Sequence, residues 1–133
     1  MIFVDSNIPM YLIGAPHPHK TEAQVILERL IAEGRRLVTD AEVLQEILHR
    51  YTAINHRDAI RPALKALLDF VDQVFPVGKA EVLRAAEIVL SHGSLSARDS
   101  VHISVMERNG IQSILSFDSD FDSWPGLHRI HRI

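Results

Sequence analysis

Five acidic residues, Asp5, Glu46, Asp99, Asp118 and Asp120, stand where carboxylates can converge on one metal ion instead of scattering over a surface. Asp5 directly follows the apolar run Ile2-Phe3-Val4, and Asp118 directly follows Ile114-Leu115-Ser116-Phe117. Asp99 shares a helical stripe with Ile103 and Met106, a position normally apolar. A carboxylate buried there needs a hydrogen-bond donor, a cation or a cleft. Several carboxylates in one cleft repel each other, so either their pKa values rise or a divalent cation neutralises them. Oxygen ligands favour a hard ion such as Mg²⁺ or Mn²⁺ over zinc. The chemistry open to such a site is metal-assisted hydrolysis of a phosphodiester, the metal activating a water and offsetting charge on the phosphoryl oxygens. In that scheme Asp5 and Asp99 are direct ligands, Glu46 and Asp118 ligate directly or through water, and Asp120 tunes the site from outside.

Each acid also has a simpler reading. Asp5-Ser6-Asn7 is a natural turn sequence, in which Ser6 and Asn7 either orient the carboxylate or cap a helix. Glu46 lies at the rim of an apolar face made by Val43, Leu44, Ile47, Leu48 and Tyr51, where it can reach a cleft, but taken alone it reads better as a pair with Arg50 at i,i+4. Ser96-Ala97-Arg98-Asp99 fits a capping box. Arg98, beside Asp99, either holds a phosphate or pairs with a surface acid.

Other chemistries fit less well. Asp118, Asp120 and Asp122 resemble the start of a calcium loop, but its sixth and twelfth positions hold Ser123 and Arg129 instead of Gly and Glu, which excludes an EF-hand. His17 and His19 sit in a Pro-rich loop without a third ligand at zinc spacing. His102 lies within a helix, where packing or hydrogen bonding is the ordinary role. There is no Gly-rich phosphate loop and no Gly-x-Ser-x-Gly elbow. An aspartyl-phosphate phosphatase would want Asp-x-Asp at the first strand end, where this chain has Asp5-Ser6-Asn7.

Elements that must position these acids alternate between short β-rich runs and longer helical ones. Strands are expected at Ile2–Val4, Arg36–Thr39, Val74–Val77 and Ile114–Phe117, with an edge strand within Leu127–Ile133. Helices are expected from Asp5, over about 20–33 with Gly34 as its stop, and over about 40–54, 57–71, 79–91 and 96–109. Strands separated by helices give an α/β fold with a mainly parallel central sheet flanked by helices in three layers. Ligands in such sheets bind beyond the carboxyl ends of the strands, where Asp5 and Asp118 fall.

The chain has 133 residues, sufficient for one domain over 1–133 with a buried core. Hydrophobic residues make up 47% and charged ones 23%, as in ordinary globular proteins. The net charge of −3 does not suit a general nucleic-acid coat protein, but it allows an acidic metal site beside local cations. Arg35-Arg36, Arg57, Arg61, Lys65 and the tail His128-Arg129 and His131-Arg132 are such cations or plain solvated surface. No apolar run approaches the roughly 18 residues of a membrane span, and the N-terminus lacks the pattern of a signal peptide. The absence of cysteine excludes disulfide and thiolate chemistry and fits a cytoplasmic protein.

Taken together, the segments Ile2–Asn7, Leu37–Glu46, Ser96–Val105 and Ser116–Phe121 resemble, in order and spacing, the PIN-domain family, and within it the VapC-type toxins. The resemblance runs over essentially the whole chain. It implies a ribonuclease whose acidic quartet is Asp5, Glu46, Asp99 and Asp118, with Asp120 as a less regular fifth member. Ser116 matches a position usually held by a small hydroxylated residue that contacts the site. Ser100 and Ser104 stand where alanine is common, a departure that leaves the quartet intact. The resemblance further implies Mg²⁺ or Mn²⁺, a homodimer, and a co-expressed antitoxin whose C-terminal segment blocks the cleft. Rival readings are a PIN-fold nuclease of RNA processing without an antitoxin, and a non-catalytic interaction module.

Overall fold

The computed structural model describes residues 1–132. In chain order the elements are β1 (Ile2–Val4), α1 (Asn7–Ile13), α2 (Pro18–Ala32), β2 (Leu37–Asp40), α3 (Ala41–Ala53), α4 (Ile60–Phe70), β3 (Gln73–Phe75), α5 (Lys79–Ser91), α6 (Ala97–Arg108), β4 (Ser113–Leu115) and β5 (His128–Ile130). Short 3-10 turns at Arg57–Ala59 and Ser119–Ser123 complete it. The five strands form one sheet in the order β3-β2-β1-β4-β5, and every pairing is parallel. The expected mainly parallel sheet flanked by helices is therefore present, and its parallel character extends to the edge strand β5.

Burial explains the apolar runs. β1 is buried along its whole length and so is β2, as strands covered by helices on both faces must be. The core gathers Phe3, Ile47, Leu67, Ile88, Ile103, Ile114 and Phe121, residues from both ends of the chain. Gly34, just past α2, has a φ of 71°, the left-handed conformation that ends a helix cheaply only with glycine.

Three elements depart from expectation, each for a local reason. The strand expected at Val74–Val77 ends at Phe75, because Pro76 has no N–H to donate to a ladder. The helix expected over 57–71 splits into the 3-10 turn and α4, with Pro62 in the first turn of α4, where a missing N–H costs little. β4 stops at Leu115 instead of Phe117, because side chains capture the next backbone donors: Phe117 N–H donates to Asn7 Oδ1 (3.3 Å) and Asp118 N–H to Ser116 Oγ (3.0 Å). The edge strand expected within Leu127–Ile133 forms over His128–Ile130, and Ile133 lies outside the described residues. No described helix is long and apolar enough to cross a membrane.

Strand order reverses at β1: the chain runs outward through β2 and β3, then returns to place β4 on the other side of β1. The crevice beyond the carboxyl ends of β1 and β4 is the switch point where ligands bind in open parallel sheets.

Candidate active site

Asp5 leaves β1 directly into that crevice, and both oxygens of its carboxylate accept hydrogen bonds. Oδ1 accepts from the Ser6 N–H (2.7 Å), while Oδ2 accepts from Ser116 Oγ (2.6 Å) and Asn7 Nδ2 (3.2 Å). Ser116 Oγ in turn accepts from Asn7 Nδ2 (3.1 Å) and the Asp118 N–H. Asp5-Ser6-Asn7 is thus more than a local turn: two of its three side chains are tied to the end of β4, more than a hundred positions away. Burial pushes the Asp5 carboxyl above its ordinary value, against the lowering effect of His102 and the Ser116 hydrogen bond.

Glu46 arrives from α3. Its Oε2 accepts from Ser6 Oγ (2.9 Å), and its Oε1 takes a very short contact with His102 Nε2. The expected pairing with Arg50 does not form. His102, on α6, reaches in the other direction with Nδ1 2.8 Å from Oδ2 of Asp40, and both His102 and Asp40 have side chains fully shielded from solvent. Asp40 also caps α3, its Oδ1 accepting from the Val43 N–H (2.9 Å). Carboxylates carry no donors, so both imidazole nitrogens donate and the ring is a cation between two anions. Burial alone would lower the His102 pKa, but Asp40 and Glu46 outweigh it and hold it well above the ordinary range. For Glu46, burial acts upward and is overcome by the hydrogen bond and charge of His102, leaving it below its usual value.

Asp99 sits in the first turn of α6, where its N–H donates to Ser96 Oγ (3.1 Å), half of the expected capping box. Its side chain is nevertheless buried toward the crevice, and oxygens of Asp99, Asp118 and Asp120 lie within 4.8 Å of one another. A second group within the same limit joins Asp5, Glu46 and His102. Asp99 links the two groups electrically. Its carboxyl is pushed up to about 7, first by burial and then by the charges of Asp5 and Asp118. The structure therefore brings the whole quartet to one edge of the sheet. Asp120 is exposed at its margin, its N–H donating to Asp118 Oδ1 (2.9 Å).

These carboxylates suit a divalent cation by their chemistry. Burial first, and then the charges of Asp5 and Asp118, push the Asp99 carboxyl up to about 7, and a hard ion among these oxygens would relieve that cost. The His102 ring is not available as a ligand, since both nitrogens are committed to carboxylates. The donor set is then oxygen only, which favours Mg²⁺ or Mn²⁺.

The same crowding sets a pH dependence. A carboxyl raised on folding keeps its proton in the folded protein over a range, here from 3.8 to about 7, where the unfolded chain has lost it. The stability this confers is present at the acid end and disappears as pH rises through that range. His102, raised above its ordinary 6.5, acts in the same direction: its contribution is full below that value and is lost as pH rises through the higher one. The metal-free protein should therefore melt at a higher temperature at about pH 5.5 than at about pH 8. Scanning calorimetry at fixed ionic strength with a chelator checks this, and a flat or rising melting temperature would contradict it.

The auxiliary residues also find places. Ser6 bridges Asp5 and Glu46, and Ser116 bridges Asp5 and Asp118. Arg98 Nε is 3.8 Å from Glu42 Oε1, and its side chain lines a cavity that opens beside Glu46. Ser100 and Ser104 satisfy their hydroxyls within the helix layer, on Ser96 O and Glu81 O (both 2.8 Å). His17 and His19 join no ligand cluster: His17 Nδ1 accepts from the His19 N–H at the start of α2, and His19 stacks on Phe117 with ring centroids 4.1 Å apart. In the tail, Arg129 is tied to Asp122 and Ser116 O. Asn7 orients the Asp5 carboxylate, one of the two roles its turn offered, and His102 hydrogen-bonds, the ordinary role for a helical histidine; what the sequence reading left out is Asp40 and the tie of His102 to the acidic site. The available signal was Asp99-x-x-His102, which puts both on one face of α6.

Comparison with known proteins agrees with this geometry. Ribonuclease VapC13 of Mycobacterium tuberculosis is 55% identical over 130 residues, covering 98% of this chain and 99% of the relative. The crystal structure of Mycobacterium tuberculosis VapC20, a sarcin–ricin loop cleaving toxin, superposes with a TM-score of 0.77 at 25% identity, covering 96% and 97% of the two chains. A toxin–antitoxin complex from Klebsiella pneumoniae shares the fold, with a TM-score of 0.66 at 16% identity over 96% and 95%. The PIN domain matches residues 2–127, a span that holds all four converging carboxylates, and the chain belongs to the PIN-domain family.

Proposed function

We infer that this chain is an endoribonuclease that hydrolyses RNA phosphodiester bonds and acts as the toxin of a toxin–antitoxin pair. The observation that carries the reading is the crowding of Asp5, Glu46, Asp99 and Asp118 at the β1/β4 switch point, in a chain 55% identical to a ribonuclease. Residues 1–133 work as one domain. Asp5, Glu46, Asp99 and Asp118 hold Mg²⁺ or Mn²⁺, with Asp120 tuning the site from its exposed margin. When bound, such an ion lowers the pKa of a water and offsets charge on the phosphodiester oxygens.

The chain's own side chains supply positioning. Ser6 fixes Asp5 and Glu46 relative to each other, and Ser116 with Asn7 locks Asp5 against the loop that carries Asp118. Arg98, whose one ion pair among the described residues is a long contact to Glu42, is placed to bind a substrate phosphate. The same reading gives a homodimer acting in the cytoplasm, with a cognate antitoxin as partner. The fold shared with the Klebsiella pneumoniae toxin–antitoxin complex supports the last.

A direct test starts from chelator-treated protein. Adding Mg²⁺ or Mn²⁺ to about 100 times its Kd should raise Tm by on the order of 10 °C, from about 2.7 kcal/mol of binding linkage in a domain of this size. The same addition should switch on cleavage of single-stranded RNA. Unchanged Tm with both ions would remove the metal assignment, and intact RNA under those conditions would remove the nuclease assignment.

A further inference from the structure

A cavity of about 420 Å³ opens against the outer side of the acidic cluster, with Ser6 and Glu46 in one wall. Its other walls present Arg50, Arg98, Tyr11 and Tyr51. That volume lies at the small end of the range for ligand sites, enough for one small molecule or one extruded nucleotide and too little for a folded duplex. The wall chemistry is unusual beside an acidic site, because both cations are nearly unspent. Arg50 follows Glu46 by four residues on α3, one turn along the same face. Glu46 is held by Ser6 and His102, so Arg50 forms no ion pair with it or with any other acid among the described residues. Arg98 meets Glu42 only at 3.8 Å, which leaves most of its five donors for another anion.

We propose that this cavity binds one unpaired nucleotide of the RNA next to the scissile phosphodiester, its phosphate on Arg50 and Arg98 and its base against the Tyr11 ring. Guanidinium groups are suited to phosphate because their planar donors match two oxygens at once. Tyrosine faces accept any base, and single-stranded RNA offers bases that are free to splay out and stack. Tyr11 is preset for this: its ring lies near perpendicular to those of Phe117 and His19 and tilted by 34° against that of His17, with centroids 5.6, 5.1 and 4.9 Å away, so the ring is held before a ligand arrives. The subsite rests on the ribonuclease reading and deepens it by naming the substrate form, an extruded single-stranded nucleotide.

The test separates binding from cleavage. In an Asp5→Asn background, a fluorescent single-stranded oligoribonucleotide is titrated by anisotropy at several salt concentrations. Adding Arg50→Ala should weaken binding by roughly tenfold and reduce the slope of log Kd against log salt by about 0.7, the signature of one lost phosphate contact on a single strand. Arg50→Lys should restore the slope, a result that a merely structural role for Arg50 would not give. Tyr11→Ala should weaken binding by roughly fivefold or more while Tyr11→Phe retains it, because stacking needs the ring and not the hydroxyl. Unchanged affinity and salt slope in Arg50→Ala would overturn the proposal, including the case in which the cavity instead takes an acidic segment of a protein partner. Should Asp5→Asn cut RNA as well as the wild type does, the catalytic reading falls, while the anisotropy series still decides whether this cavity holds RNA.

Discussion

Asp5→Asn should lower RNA cleavage in Mg²⁺ or Mn²⁺ by at least about a hundredfold while leaving the metal-free protein folded. The magnitude follows from what weaker changes do: losing a partner that only orients a metal ligand costs about 10–100-fold, and Asp5 is proposed as a ligand itself. The stability claim follows from its surroundings. Asp5 is 4% exposed, and burial raises its carboxyl pKa, with Glu46 adding to the rise. An amide of the same shape removes a charge that the metal-free protein must desolvate. That gain is set against hydrogen bonds the amide loses: with its oxygen on the Ser6 N–H, its NH₂ faces Asn7 Nδ2 and a Ser116 Oγ that already accepts from Asn7 and the Asp118 N–H. Loss of activity would then come without loss of fold, and metal-dependent thermal stabilisation should shrink together with activity. Cleavage equal to wild type, assayed on one RNA with both ions, would end the proposed mechanism.

The convergence of these acids was legible in the sequence to the extent that it depends on strand ends. Asp5 after Ile2-Phe3-Val4 is fixed by the register of β1 against β4, where Val4 pairs with Leu115. An alternation of short apolar runs and helical stretches suffices to predict a parallel sheet, and a parallel sheet puts such residues at one edge. Asp118 was harder to place. It reaches the same edge through a loop in which Asn7 and Ser116 take the backbone donors, a side-chain competition across 110 positions that no local pattern reports.

α6 shows most clearly why the remainder was hidden. Its sequence, Ala-Arg-Asp-Ser-Val-His-Ile-Ser-Val-Met-Glu-Arg, has no clean apolar stripe, yet seven successive or near-successive residues from Asp99 to Met106 are buried. Buried polar side chains need partners, and three of the four here have them: Ser100 on Ser96 O, Ser104 on Glu81 O, His102 on Asp40 and Glu46, while the fourth, Asp99, faces the acidic crevice. The partners of Ser104 and His102 belong to other elements, so hydrophobic periodicity cannot detect them. The i,i+4 rule fails at Glu46 for the same reason. A surface pair with Arg50 would contribute only about 0.3–0.5 kcal/mol, and a buried cation from another helix outcompetes it.

That buried cation sets the largest stability effect expected in the molecule. His102→Leu should destabilise the protein by on the order of 3–5 kcal/mol, because it strands Asp40 as a charge with no exposure and strips Glu46 of its closest partner. Leucine fills the space approximately, so the loss is chiefly electrostatic and not a cavity effect. Asp40→Asn in the same chain should recover more than half of the loss: it removes the stranded charge, and Asn still caps α3 by accepting from the Val43 N–H. Asp40→Asn alone should be costly, since it leaves His102 with one carboxylate instead of two. Urea denaturation of the four chains gives the coupling energy directly, and contact between the two side chains predicts strong non-additivity. Activity should not follow stability through this series. The double variant, although refolded, leaves Glu46 held by Ser6 alone, and a carboxylate with one tether instead of two samples more orientations than the site can use. Single variants that unfold within about 1 kcal/mol of wild type would show that the Asp40–His102–Glu46 chain is incidental to the fold. A double variant as active as wild type would show that Glu46 needs no cation to hold it in place.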